Sequence, residues 1–176
     1  MSLQSYIDQH GIAARLIGNI GETPTVPAAA AALGVPPDHI VKTLLFEVSA
    51  PITFANPQSS IPNPQSPAHV VVISYGEKRV DKKLLGVALG VSKKHIAFAK
   101  AETVLSLIGY PAGGVPPFGH RTALPVLIDA GMMRHVVGDR DPHTVPVFAG
   151  GGDDATMMEI SVGELLRVLG AINCDL

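Results

Sequence analysis

The chain has no tryptophan and only one cysteine, Cys174. One cysteine cannot close an internal disulfide, so a reducing, cytoplasmic setting is expected. The seven histidines are scattered, and neither an HExxH run nor a paired-cysteine spacing is present, so no metal is expected. No apolar run approaches the roughly 20 residues of a membrane span. The opening "MSLQSYIDQHG" lacks the basic and apolar regions of a signal peptide. No membrane partner is therefore expected. No glycine-rich loop ends in GK(S/T) or shows GxGxxG spacing, so ATP and NAD are not expected, and no cofactor is assigned. There is no GxSxG elbow, and a cysteine next to the end of the chain is a poor nucleophile. Net charge is −2, which excludes a generically basic nucleic-acid binder.

What is present reads as one α/β domain over 1–176, 47% hydrophobic. Capping residues mark the helices. Ser2 opens a helix that ends at Gly11, Thr25 opens "TVPAAAAALG", and Asp81 opens "DKKLLGVALG". A helix over 101–109 ends at a glycine. Ser161 and Glu164 form a capping box before the last helix. Strands are expected over 39–48, 69–74, 95–99, 124–129, 144–150 and 157–161. "HVVVIS" (69–74) is apolar enough to be a central strand covered on both faces. The Pro-, Ser- and Asn-rich segment 49–69 reads as an extended surface loop.

Three features stand out against this frame. Lys78, Arg79, Lys82, Lys83, Lys93 and Lys94 are six of the 13 Lys and Arg. They are either a solvated helix face or a patch that meets phosphates. Lys42 interrupts the apolar run "IVKTLLF", and it points either outward from an edge or into a pocket. "GYPAGGVPPFGH" (109–120) holds four glycines and three prolines. It is either a structural turn or a stiffened loop whose bare amides, at Gly113 and Gly114, hold a carbonyl oxygen.

Taken in order, "IVKTLLF" (40–46), the run 70–120, "VLIDAGMM" (126–133), "VFAGGG" (147–152) and "MEISVGELLRVLGA" (158–171) resemble the YbaK / prolyl-tRNA synthetase editing-domain family. The resemblance implies a mixed α/β domain with a barrel-like sheet flanked by helices. It implies trans-editing, the hydrolysis of the ester of a mischarged aminoacyl-tRNA, typically a tRNA for proline carrying alanine or cysteine. Its partners would be the aminoacyl-tRNA acceptor end and a prolyl-tRNA synthetase. By position, Lys42 matches the family's strand lysine, toward the phosphate or ribose of the terminal adenosine. Gly113 to Pro117 match its GxxxP loop, with Gly114 inside it and Gly119 in the same loop. His120 either orients water or closes the pocket. Asp129 matches a supporting acidic position, and Gly150, Gly151 and Gly152 a pocket-lining glycine turn. The chain departs from the family at Pro116, where a small residue is usual, and at "DDAT" (153–156), where basic residues are common. A non-catalytic module that binds an aminoacyl or nucleotide end, or docks on a synthetase, is the alternative.

Overall fold

Helix α1 (Leu3–Gln9) starts where Ser2 accepts the Ser5 N–H on its hydroxyl, and it buries Leu3 and Ile7. Strand β1 (Ala14–Ile17) follows. Helix α2 (Val26–Leu33) is capped by Thr25 and stopped by Gly34 at φ 67°. Strands β2 (Val41–Val48) and β3 (Ala68–Tyr75) lead to helix α3 (Lys82–Leu89), capped by Asp81. Strand β4 (Ile96–Phe98) precedes helix α4 (Ala101–Ile108), which ends at Gly109. Strand β5 (Val126–Asp129) is followed by a π-helical turn, Met133–Val137. Then come β6 (Pro146–Gly150), β7 (Met157–Ser161), helix α5 (Val162–Leu169) and β8 (Ile172–Cys174). This computed structural model describes residues 2–21, 25–54 and 68–176. Most of the 49–69 loop therefore lies outside the described residues.

The strands form two sheets, one ordered β4-β2-β3-β5-β8 and one ordered β1-β7-β6. The larger sheet is mixed: β3 runs antiparallel to β2 and parallel to β5. β3 is central, and Val70 to Ile73 are fully buried, as its unbroken apolar run requires. Among the described residues a parallel bridge, Ile40 to Phe148, joins the two, in the mixed α/β arrangement that the resemblance implies.

Alternation along β2 and β3 sorts the core. Phe46, Val48, Val70 and Val72 pack with Leu85 and Leu89 of α3. On the other face Val41, Leu45, Val71 and Ile73 pack with Val147, Met158, Ile160 and α4. Helix α2 closes one end through Ala29 and Ala30 against Ile40, Phe148 and Met157.

The expected capping box is half formed. Ser161 accepts the Glu164 N–H, but the Glu164 carboxylate does not return to Ser161. It accepts the Ala13 N–H at 2.8 Å and both Arg167 donors at 2.7 Å. It thereby ties α5 to the entry of β1, a stronger use for a carboxylate than its own cap. No helix among the described residues is long and apolar enough to cross a membrane.

Candidate active site

The site forms along an open strand edge. β4 covers β2 only at Phe46–Val48, so among the described residues Val41–Leu44 have no ladder partner on that side. Two hollows open there and share the walls Thr43, Leu44, Gly113 and Val115. The larger, about 290 Å³, is also lined by Lys42, Gly150, Thr25 and Met157. The smaller, about 160 Å³, is a mostly apolar recess reaching Phe98, Val104 and Ile108.

The glycine–proline loop forms one wall. Gly113 is exposed at φ 102°, and a Cβ there would meet nothing within 4 Å. Its neighbours are closed in: Gly114 to Phe118, Pro117 included, are buried. Gly114 therefore differs from the expectation of a bare amide. Its N–H donates to Pro111 O at 3.1 Å, and its own carbonyl accepts the Gly152 N–H at 2.9 Å. A Cβ on Gly114 would lie 2.4 Å from Asp153 O, and one on Gly150 2.6 Å from Val115 O. The two glycine turns press backbone to backbone, which only residues without Cβ allow.

Lys42 is half-buried beside the cavity, and burial lowers its pKa while nearby Glu77 raises it. Its ammonium donates to Lys78 O at 2.6 Å. Lys78 in turn sets its own ammonium 2.8 Å from Asp129 Oδ2. Asp129 is 1% exposed, and its other oxygen accepts the Gly131 N–H at 2.8 Å. Asp129 thus stands behind the site and steadies the turn that holds Lys42, away from both hollows. The ion pair also takes one cation out of the basic cluster.

His120 and Gly119 face a different hollow, lined by Tyr6, Tyr110 and Arg121. His120 Nε2 bonds Pro116 O at 2.8 Å, and burial lowers its pKa. It fixes the back of the loop. Gly151 and Gly152 line neither of the shared hollows. Gly151 is pressed against Thr156, and Gly152 packs against the Tyr110 ring. The structure therefore gathers Lys42, Gly113 and Gly150 at one cavity, with Gly114, Pro117, His120 and Asp129 as its support.

Sequence reasoning missed Thr43, which lines both hollows, and Phe98 at the recess. Thr43 sits beside Lys42, but nothing in "KTLLF" marks its Oγ1, which is buried without a hydrogen-bond partner. Among the described residues no three His, Cys, Asp or Glu side chains converge as metal binding requires.

Comparison with known proteins places the chain in a family. The aminoacyl-tRNA editing domain family matches residues 21–167, and the chain belongs to it. Among solved structures it is similar to the hypothetical protein APE2540, at 27% identity and TM-score 0.76, over 98% of this chain and 97% of that one. It is also similar to a candidate trans-editing enzyme for prolyl tRNA synthetase, at 25% identity and TM-score 0.77, over 99% of this chain and 93% of that one.

Proposed function

We propose that the chain hydrolyses the ester of mischarged aminoacyl-tRNA, of the type in which a tRNA for proline carries alanine or cysteine. One observation carries this reading: Lys42, Gly113 and Gly150 line a single cavity. An aminoacyl ester is already activated, so the protein need only position it and stabilise charge. Lys42 supplies a cation for the phosphate or ribose of the terminal nucleotide. The open backbone at Gly113 lets the ester carbonyl approach closely and take a hydrogen bond as its oxygen becomes an oxyanion. Water, oriented by the neighbouring ribose hydroxyl, attacks the carbonyl carbon, and the ester C–O bond breaks to release the amino acid and leave a free 3′ hydroxyl, which takes up the proton the water gives up. The likeness to a candidate trans-editing enzyme supports prolyl-tRNA synthetase as the enzyme whose errors are cleared.

The test is a panel of Ala-, Cys- and Ser-charged tRNA for proline, followed for loss of the ester. Turnover that falls with added salt is expected, because phosphate contacts are salt-sensitive. Flat time courses for every charged tRNA with folded protein contradict the reading.

A further inference from the structure

Edge strands carry charge to prevent strand addition, and β4 follows that rule only partly. Lys93 and Lys94 precede it and Lys100 follows it, but it also presents Phe98, which is 58% exposed. One face of the Phe98 ring rests on the fully buried Phe46, with centroids 4.5 Å apart. Lys82 Nζ sits over the Phe98 ring, 5.4 Å from its centroid, so a base that stacks there displaces the ammonium toward its own phosphate. Phe98 also borders the recess, whose walls at Gly113 and Thr43 are shared with the larger hollow.

The surrounding charge favours an anion. Asp81 spends its carboxylate capping α3 through the Lys83 N–H, and Asp129 neutralises Lys78. Arg79, Lys82, Lys83, Lys93, Lys94 and Lys100 join no ion pair among the described residues. The carboxylates next to β4 are Glu47, opposite Ala97, and Glu102 in the first turn of α4, and the cations outside any ion pair outnumber them; a buttressed, exposed aromatic ring beside such an excess is what an unstacked nucleobase needs. The base stacks on the ring, and its flanking phosphates meet the ammonium groups.

We propose that Phe98 is the stacking platform for a nucleobase of the single-stranded RNA end whose esterified terminus enters the cavity. Lys82 and Lys100 meet the adjoining phosphates. The proposal rests on the tRNA reading above, and it adds where the strand runs: out of the cavity past the recess and over β4.

The test uses a short single-stranded RNA with 2-aminopurine as its terminal base and a free 3′ hydroxyl. Titration of the full chain quenches the fluorophore. Phe98→Ala weakens binding about tenfold or more. Phe98→Trp keeps it, and Lys82→Met lowers the slope of log affinity against log salt by about one. Phe98→Trp and Lys82→Met keep the wild-type unfolding midpoint; Phe98→Ala loses its stack on Phe46 and unfolds somewhat earlier, so binding is compared where every variant is verified folded. Equal binding by Phe98→Ala and wild type overturns the proposal, as does absence of quenching by the wild type. A protein partner adding a strand at β4 would also leave the Phe98→Ala titration unchanged. The RNA carries no ester, so this readout is independent of hydrolysis. Quenching without deacylation of any charged tRNA sinks the proposed reaction alone.

Discussion

Replacing Gly114 by alanine tests the contact between the two glycine turns. The added methyl would lie 2.4 Å from Asp153 O, 2.7 Å from its carbonyl carbon and 2.8 Å from its Cα. All three are backbone atoms, so no side chain can swing aside. To reach an ordinary 3.4 Å contact the turns must part by about 1 Å. That movement strains the bond from Gly152 N–H to Gly114 O, now 2.9 Å, and carries Gly113 away from Lys42. A shift of about 1 Å at a reacting centre costs on the order of 100-fold in rate. Overpacking of this kind costs about 1–3 kcal/mol in stability. Single-turnover deacylation and urea unfolding should therefore both respond, with the rate responding more steeply. Gly18→Ala, where a Cβ meets nothing within 4 Å, should change neither. Wild-type turnover and stability in Gly114→Ala would refute the claim that the cavity wall depends on this contact.

Two further perturbations address the support of the site. Lys78→Met strands the Asp129 carboxylate in the core and should cost about 3–5 kcal/mol. Asp129→Asn leaves a lysine that can turn to water, so it should cost distinctly less in urea unfolding; a reversed order would contradict the ion pair's placement. Glu164→Ala removes the acceptor for Ala13 N–H and the partner of Arg167, and should cost about 1–3 kcal/mol at neutral pH. The Arg167 hydrogen bonds, then that from Ala13, hold the Glu164 pKa down to about 2 from 4.5. The depressed folded value means that the wild type's advantage is complete above pH 4.5 and fades as pH falls toward 2. A pH-independent gap between the two proteins would contradict this.

Much of the frame was legible because local chemistry dictates it. Thr25 with Gly34, Asp81 with Gly90, and Ser161 with Gly170 bracket α2, α3 and α5, each pair acting within its own helix. The fully buried β3 announces itself by composition. β1 and β8 do not: "ARLI" and "INC" are short and show no alternation, and they become strands only through β7 and β5. The division into two sheets rests on the pairings of β1, β7 and β6, which no local pattern encodes. The site divides in the same way. Lys42 and Gly113 are anomalous in their runs, and both line the cavity. Gly114 has the same sequence signal for a different reason, since missing Cβ atoms serve close packing as well as ligand approach. The exposure of Phe98 was hidden, because "HIAFA" reads only as a short strand, and its place at the sheet edge beside β2 leaves the last ring open.

The central claim is that Lys42 and the exposed turn at Gly113 together hold the charged end of the tRNA. The most direct measurement is the single-turnover deacylation rate of alanine-charged tRNA for proline by wild type and Lys42→Ala, at equal, verified folding. A loss of turnover on the order of 100-fold in the variant, with an unchanged unfolding midpoint, is predicted. Equal rates for the two proteins would contradict it.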